Sequence, residues 1–247
     1  MTRAVDATES LSTETLARRL RSFELFERLA PETRSSIASR LAIRVFPKGS
    51  FVVAAGQSSG RDTYFVLGGH VRACACSENG RLVQFEELGE GMMFGELSAI
   101  DARPRGSDCI AVSDTTLAVM PARCFLDAVR AHPDVAEALV RRLTAMVRLQ
   151  MRKVFEISTA TVSQRVRLEL LRMASREHGT EREPESRSDP IAFGEVPTHA
   201  DLAARIGTHR EAVSRELKSL ESSGIIVWRR DRHEIVDLAR LTEVSQA

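Results

Sequence analysis

Four side chains near the C-terminal end have the types and spacing needed to read the edges of DNA bases: Arg210, Glu211, Ser214 and Arg215. On an α-helix these positions, i, i+1, i+4 and i+5, lie on one side and face the same partner. Arginine can form two hydrogen bonds with guanine O6 and N7, and glutamate can accept one from cytosine N4. The pattern predicts a recognition helix for a major groove. A charged face that is merely solvated is the alternative.

The surrounding sequence predicts two short helices joined by a tight turn. Thr198 begins the first helix with Asp201 three residues later, Gly207 supplies the turn, and Thr208 is expected to cap the second helix. Each helix has an apolar inner face, formed by Leu202, Ala203 and Ile206 in the first and by Val213, Leu217 and Leu220 in the second. This is a helix-turn-helix. Polar and basic residues at the helix starts and on the outer face are expected to bind DNA phosphates: Thr198, His199, Thr208, His209 and Lys218.

Two β-rich runs follow the second helix and enclose a basic turn. The runs cover residues 225–227 and 234–236, and Arg229, Arg230 and Arg232 lie between them. Two such strands beside a helix-turn-helix form a wing, so the C-terminal region is predicted to be a winged helix-turn-helix.

Upstream, apolar residues recur with the period of a coiled coil. The spacing is 3, 4, 3, 4, 3 over Val140, Leu143, Val147, Gln150, Val154 and Ile157, with one polar residue among them. A helix with such a seam needs a partner helix, and a second copy of the same chain fits the strict pattern best. The seam therefore predicts a homodimer.

The region before this helix is rich in glycine and short β-runs. Ten of the fourteen glycines lie between Gly49 and Gly106. Among them lie runs expected to form strands, at 51–53, 64–67, 82–85, 109–112 and 117–120. Asn79-Gly80 is a strong hairpin signal, and residues 12–41 have helical periodicity. These features predict an antiparallel β-sandwich or barrel preceded by helix.

Composition excludes several classes of protein. The chain has 247 residues and a formal net charge of +1, which is unlike a strongly basic nucleic-acid-binding tail. No apolar run is long enough to cross a bilayer and no signal peptide is read at the N-terminus, so a cytoplasmic protein with no membrane partner is expected. Cys74 and Cys76 alternate along one run and are expected to be small buried residues rather than a metal site. No metal-binding or catalytic constellation is found, so no enzyme is predicted.

In these features the chain resembles the CRP/FNR superfamily of bacterial transcription regulators. The matching motifs are Lys48-Gly49 through Gly56, 64–72 (YFVLGGHVR), 88–91 (LGEG), Phe94-Gly95-Glu96-Leu97, Pro104-Arg105, the long helix and 210–215 (REAVSR). The resemblance implies an α+β fold whose N-terminal antiparallel β-roll is jelly-roll-like and has flanking helices. A long dimerisation helix and a C-terminal winged helix-turn-helix would follow. The expected boundaries are 1–133 for the sensor domain, 134–176 for the dimerisation helix and hinge, and 177–247 for the DNA-binding domain.

The resemblance also implies an effector site in the β-roll. In cyclic-nucleotide-binding members, the segment that corresponds to residues 94–105 binds the phosphate. Its glycine lets backbone N–H groups approach the anion, and its arginine pairs with the phosphate. Its glutamate accepts a hydrogen bond from a ribose hydroxyl. The expected effector-binding residues are Gly95, Glu96, Leu97, Arg105, Gly106, Ser107, Gln150 and Met151. Alternatively, Glu96 and Arg105 form a buried ion pair that holds the β-roll together.

Two departures from the family pattern leave the effector open. Gly106 replaces the usual Ser or Thr after the arginine, although Ser107 follows, and Gln150-Met151 replace the hydroxyl pair that contacts adenine. Gln150 can instead set the register of the dimer seam. A cyclic nucleotide or a cyclic dinucleotide is therefore the expected effector class, and no effector at all is the alternative.

Together these residues predict a homodimeric, sequence-specific transcription regulator that binds an inverted repeat in double-stranded DNA. It would contact RNA polymerase if it is an activator. By resemblance, a TGTGA-like half-site is expected if Arg210, Glu211 and Arg215 read bases, and a TTGAT/C-like half-site if Glu211, Ser214 and Arg215 do. The alternative function is a ligand-independent regulator controlled by its abundance or by a protein partner.

Overall fold

The computed structural model describes residues 11–178, 190–193, 196–229 and 232–246. The chain divides into two compact units, one formed by Met1–Ala75 with Gln84–Arg148 and the other by Cys76–Val83 with Leu149–Ala247. Residues 177–190 contain no hydrophobic side chain, so the sequence predicts an exposed loop or linker there, and this stretch falls mostly outside the described residues. The domain boundaries expected from the sequence remain a prediction.

Two four-stranded antiparallel sheets form the β-roll of the first unit. One has the order β1-β8-β3-β6 and the other β2-β7-β4-β5. The apolar core between them includes Val66, Val71 and Leu117, which are fully buried. The strands are β1 (Ala42–Phe46), β2 (Phe51–Val53), β3 (Thr63–Gly68), β4 (Val71–Cys76), β5 (Leu82–Leu88), β6 (Met93–Phe94), β7 (Asp108–Ala111) and β8 (Thr115–Met120).

The five strands predicted from sequence are present, and the hairpin at Asn79-Gly80 is confirmed. Gly80 has a φ of +74°, a conformation that few other residues adopt easily, and its N–H donates to the carbonyl of Ser77. This turn joins β4 to β5. Of the other three strands, β4 contains the run on which Cys74 and Cys76 alternate, and sequence reasoning did not identify β1 or β6 as strands.

Four helices of this unit pack against the β-roll and form a second apolar core with it. They are α1 (Thr13–Leu20), α2 (Pro31–Ala38), α3 (Glu96–Asp101) and α4 (Ala122–Ala131). The N-terminal helical region is interrupted at 21–30, where Phe23 and Phe26 turn inward against Phe65. Helix α2 restarts with Pro31 in its first turn, where proline fits because no N–H is needed.

The segment predicted as dimerisation helix and hinge, 134–176, consists of two helices. Helix α5 covers Pro133–Thr159, and α6 covers Val162–His178. The side chain of Arg165 donates to the carbonyls of Ile157 and Ala160, which lie at the break between the helices. Val166 and Leu170 of α6 are buried in the core of the second unit, so α6 belongs structurally to that unit.

The second unit is completed by a small sheet and three helices. The sheet order is β10-β11-β9. The elements are β9 (Ile191–Ala192), α7 (His199–Ile206), α8 (Arg210–Ser222), β10 (Ile226–Arg229), β11 (Arg232–Ile235) and α9 (Leu238–Gln246). The fold is α+β, with an N-terminal β-roll and a C-terminal helix-turn-helix, as the sequence predicts. Among the described residues, no helix is both long and apolar enough to cross a membrane.

Candidate effector site and nucleic-acid interface

Helix α7 begins with the reciprocal cap that the sequence predicts. The Thr198 hydroxyl accepts from the backbone N–H of Asp201 at 3.1 Å, and the Asp201 carboxylate accepts from the Thr198 N–H at 3.2 Å. Gly207 ends the helix in a left-handed conformation, with φ of +65°, and its carbonyl accepts from the Arg81 side chain. Helix α7 is therefore bounded by a side-chain cap at its N-terminus and by a left-handed glycine at its C-terminus, where the turn to the next helix begins.

Helix α8 begins at Arg210, and its cap differs from the expectation. The residue at the N-cap is His209, whose side chain makes no capping hydrogen bond. Thr208, predicted as the cap, is instead 7% exposed, because the turn after Gly207 directs it inward. Of the five candidate phosphate ligands, Thr208 is thus the only buried side chain.

The inner and outer faces of α8 separate as predicted. Val213, Leu217 and Leu220 are buried in the core of the second unit. On the other side, Arg210, Glu211, Arg215 and Lys218 are exposed. An ion pair at 2.7 Å joins Glu216 of α8 to Arg167 of α6 and stabilises the orientation of the helix. The exposed basic and acidic groups near the start of α8 can therefore reach a partner without unfolding.

Ser214 is the exception among the four candidate base-reading residues. It is half-buried, and its hydroxyl lies 2.8 Å from Nδ1 of His199, the first residue of α7. The sequence assigned these two residues to different roles, a base contact and a phosphate contact. The structure brings them together in one hydrogen bond.

The predicted wing is present in β10 and β11. These strands pair antiparallel, with Trp228 opposite His233. The two rings make an edge contact, with centroids 4.9 Å apart. The basic turn between the strands includes Arg230 and Asp231, which lie outside the described residues.

In the β-roll, the predicted anion-binding segment forms a short helix between two left-handed residues. Gly95 precedes α3 with φ of +88°, and Ala102 follows it with φ of +59°. Ala102 is the one non-glycine residue with a positive φ among the described residues. Such a conformation costs about 1–3 kcal/mol and persists only where the surroundings enforce it, as they often do at ligand sites.

Arg105 is buried, with 4% of its surface exposed, and among the described residues it forms no ion pair with a carboxylate. Its guanidinium donates to the carbonyls of Gly95, Gly60 and Asp62 at 3.0, 2.7 and 2.7 Å. It also lies over the ring of Tyr64, 5.7 Å from the centroid. The ion pair with Glu96 considered above is not formed between these two described residues. The Nε–H of Arg105 is buried and makes no hydrogen bond with a described residue.

Glu96 is also buried, and its neighbours include two residues that sequence reasoning missed. Burial raises the pKa of Glu96, and the charge of Arg142 partly opposes this effect. Arg142, on α5, forms two 2.7 Å hydrogen bonds with Glu86 of β5. No motif singles out Arg142, because arginine is common on exposed helix faces and only the fold brings it beside Glu96.

Replacing Gly95 by alanine is expected to destabilise the first unit by about 1–3 kcal/mol. The added Cβ would lie 2.8 Å from both Nη1 of Arg105 and the carbonyl oxygen of Asp62, in a backbone conformation that disfavours alanine. Thermal unfolding followed by circular dichroism measures the loss. Gly68→Ala is the control, since its Cβ would meet no atom within 4 Å, and a change below about 0.5 kcal/mol is expected. Equal stability of the two variants would contradict this description of the site.

Glu96→Gln is expected to stabilise the first unit near pH 7. Because the folded-state pKa of Glu96 is raised above its ordinary value of 4.5, the folded chain binds this proton more tightly than the unfolded chain does. The contribution of protonated Glu96 to the stability of the folded chain is therefore present at acid pH and is lost as the pH rises through the folded-state pKa of this residue. Denaturant unfolding from about pH 4 to pH 8 should show a gain for the variant that grows with pH. Glu90→Gln, at an exposed position, should show no such trend; a destabilised Glu96→Gln variant at neutral pH would refute this assignment.

Large apolar side chains are exposed along α5. Val140, Val147, Val154 and Ile157 are 62, 56, 64 and 50% exposed, and Met151 and Phe155 are each 67% exposed. Leu143 differs from the rest of the predicted seam, because it is half-buried against the helical core of the first unit. Gln150 is half-buried.

The remaining residues predicted to bind the effector lie in different surroundings. Leu97 is 51% exposed on α3, Gly106 is exposed, and Ser107 is hydrogen-bonded to Cys109.

Burial raises the pKa of Cys109 to about 12, so its thiol is unreactive. Cys74 is buried as expected but Cys76 is exposed, because it lies at the end of β4. None of the four cysteines forms a disulfide, and no metal-binding cluster occurs among the described residues.

Comparison with known families gives one match for each half of the chain. Residues 43–132 match the model of the cyclic nucleotide-binding domain, and residues 164–244 match that of the Crp-like helix-turn-helix domain. The cyclic AMP receptor protein of Thermus thermophilus is 29% identical over 221 residues, which are 90% of this chain and 96% of that protein.

Solved structures with the same fold include two bacterial regulators. A transcriptional regulator of the crp/fnr family from Eubacterium rectale superposes with a TM-score of 0.70 and 20% identity, over 92% of this chain and 99% of that one. The c-di-GMP-responsive global regulator CLP of Xanthomonas campestris superposes with a TM-score of 0.67 and 21% identity, over 80% of this chain and 94% of that one. At these identities the two similarities establish the fold alone.

Proposed function

The chain belongs to the CRP/FNR family of transcription regulators, and on that premise we propose that it acts as a homodimer switched by a cyclic nucleotide or cyclic dinucleotide. Its relatives include transcriptional regulators, in agreement with the regulator predicted from the sequence. The proposal concerns three parts of the molecule: the exposed side of α5, the outer face of α8 and the segment around Arg105.

The dimer is proposed to form along α5. Exposed apolar residues recur there at coiled-coil spacing, from Val140 through Val147 and Val154 to Ile157. Leaving so many large apolar side chains in water is unfavourable, at roughly 25 cal/mol per Å². A parallel second copy would cover them, with Gln150 in the same seam as a polar residue that fixes the register.

DNA reading is proposed for the N-terminal turns of α8. In a dimer, two copies of this helix would enter successive major grooves, about 34–36 Å apart, on an inverted repeat. Arg210, Glu211, Ser214 and Arg215 would contact base edges. The phosphate contacts would come from Thr198, His199, Thr208, His209 and Lys218, with Thr208 having to act mainly through its backbone because its side chain is buried.

The observation that carries the effector proposal is the environment of Arg105. A guanidinium that is buried without a counter-ion is costly, and a phosphate group would neutralise it. The Nε–H of Arg105 makes no hydrogen bond with a described residue and is the donor proposed for such an anion, and the lack of a Cβ at Gly95 lets the guanidinium lie against the backbone just before α3. Glu96, one residue after Gly95, would accept from a sugar hydroxyl. A cyclic nucleotide and a cyclic dinucleotide both carry these two groups.

Switching is proposed to proceed as a shift between two populations of the dimer. Arg142 connects α5 electrostatically to Glu96 and by hydrogen bonds to Glu86, so an effector that engages Glu96 would change the forces on that helix. The effector can shift the equilibrium only by the difference between its affinities for the two states. In an activator, the same shift would expose or align a surface for RNA polymerase.

One observation favours the ligand-independent alternative. Arg105 already donates to three backbone carbonyls, so part of its hydrogen-bonding capacity is satisfied by the chain itself. Under this alternative, Arg105 joins the loop before β3 to the start of α3, and DNA affinity depends only on the concentration of the protein.

Calorimetric titration with cyclic AMP, cyclic GMP and cyclic di-GMP distinguishes the two functions when DNA affinity is measured in parallel. We expect at least one of these probes to bind and to change the affinity for operator DNA. Glu96→Gln and Arg105→Gln should abolish both effects, while Arg103→Gln should preserve them, because Arg103 is highly exposed. Unchanged DNA affinity with every probe would favour the ligand-independent regulator.

A further inference from the structure

The hydrogen bond between His199 and Ser214 connects the two helices of the DNA-binding motif at its outer surface. His199 is the first residue of α7, and Ser214 lies in the second turn of α8. Their Nδ1 and Oγ atoms are 2.8 Å apart, and both side chains are partly buried. The neighbouring candidate readers, Arg210, Glu211 and Arg215, are exposed. Among the four, Ser214 is the one that the described part of the chain provides with a titratable hydrogen-bond partner.

A serine hydroxyl has one hydrogen to donate and lone pairs to accept with, so its partner decides what it offers to a third group. If Nδ1 of His199 carries no proton, Ser214 donates to it and presents lone pairs outward. If the imidazole is protonated, Nδ1–H donates to Ser214, and the hydroxyl hydrogen is free to point outward.

We propose that His199 is a positioning residue that determines base specificity by holding Ser214 as a hydrogen-bond acceptor. The inference depends on the proposed base-reading role of Ser214. In the major groove, an outward acceptor selects the exocyclic amines of adenine N6 and cytosine N4, whereas an outward donor selects guanine O6 and N7 or thymine O4. In the neutral imidazole, a DNA phosphate beside His199 would accept from Nε2–H and so select the tautomer whose Nδ1 carries no proton.

Burial and the groups around His199 favour its neutral form. Within the part of the chain that the structure describes, Arg210 of α8 and His233 of β11 are the titratable groups that act on it. Burial lowers the pKa of His199 below its ordinary value of 6.5, and the electrostatic effects of Arg210 and then of His233 lower it further. His199 is accordingly neutral near pH 7, and Ser214 changes from acceptor to donor only in more acidic solution.

Competition binding of the full-length protein to variants of its selected operator tests this directly. The half-site position read by Ser214 is the one whose base preference disappears in Ser214→Ala. At that position, all four base pairs are compared at about pH 7.5 and about pH 5.5. We expect the wild type to prefer an exocyclic-amine base roughly five- to tenfold near pH 7.5 and to lose or reverse that preference in acid.

Two substitutions separate positioning from simple folding effects. His199→Ala should reduce the preference to that of Ser214→Ala at both pH values. His199→Asn should retain the preference, because its amide oxygen can accept from Ser214, but should lose the pH dependence. His209→Ala is the matched control: His209 is exposed at the start of α8, so its loss should weaken all duplexes alike and preserve the pH-dependent preference.

The possible failures are distinguishable. If the wild type selects bases at this position with the same profile at both pH values, and His199→Ala keeps that profile, the inference is overturned while the proposed function stands. If the wild type binds every duplex equally at both pH values, the proposed sequence-specific function fails together with the inference.

Discussion

The double variant Val147→Glu/Val154→Glu is expected to be a monomer whose affinity for an inverted-repeat duplex falls roughly 100-fold or more. Both valines are more than half exposed on α5, so the glutamates do not disturb the core of the chain itself. In a dimer, however, they would place like charges opposite each other in an apolar seam. Without pairing, the second recognition helix no longer binds as part of the same complex, and avidity is lost. Analytical ultracentrifugation and DNA-binding titration measure the two effects.

Ala145→Glu provides the control for this prediction. Ala145 is also exposed on α5 but lies two residues from Val147, on nearly the opposite side of the helix. It should leave both the dimer and the DNA affinity intact. If the double variant is a dimer with normal DNA affinity, the apolar seam of α5 is not the dimer interface.

Arg215→Ala is expected to reduce specific DNA binding by about 1–3 kcal/mol and to relax the base preference at one position of each half-site. Arg215 is exposed on the outer face of α8, where its guanidinium can bond a guanine edge at two atoms. Binding to random duplex should change much less. Electrophoretic mobility shift titrations with operator and random duplexes measure the difference.

Lys218→Ala is the comparison for a phosphate contact on the same helix. Lys218 is exposed one turn further along α8, and its loss should weaken operator and random duplexes by similar factors. It should also reduce the salt dependence of binding by about one ion. Equal losses on both duplexes for Arg215→Ala would argue against base reading by that residue.

The DNA-binding motif could be predicted from sequence because its signals are local. Thr198 and Asp201 form their cap within one turn, and Gly207 marks a conformation that other residues rarely adopt. The wrong assignment of the α8 cap to Thr208 has the same origin. Threonine is the better capping residue by type, but the left-handed turn at Gly207 shifts the helix start by one residue and buries Thr208.

The candidate effector site was less predictable because its residues have partners that are distant in sequence. The motif includes Gly95 and Arg105, which are hydrogen-bonded in the structure, but it did not reveal that Arg105 also donates to backbone carbonyls of a loop more than forty residues earlier. It also gave no sign of Arg142, which reaches Glu96 only through the packing of α5 on the β-roll.

The apolar seam expected from Val140 to Ile157 lies within one helix, α5, which ends at Thr159. Periodicity did not show which of its residues the chain itself covers. Leu143 satisfies the coiled-coil spacing but is packed within the first unit. A hydrophobic seam shows which residues need covering, and the fold determines whether the same chain or a second copy covers them.

Selection of bound duplexes from a random DNA pool by the full-length protein, with and without cyclic nucleotides, tests the central claim most directly. The account predicts enrichment of an inverted repeat whose half-site centres are about 10–10.5 base pairs apart, with two chains bound per duplex. Recovery of unrelated sequences, or of a single asymmetric site occupied by one chain, would contradict it.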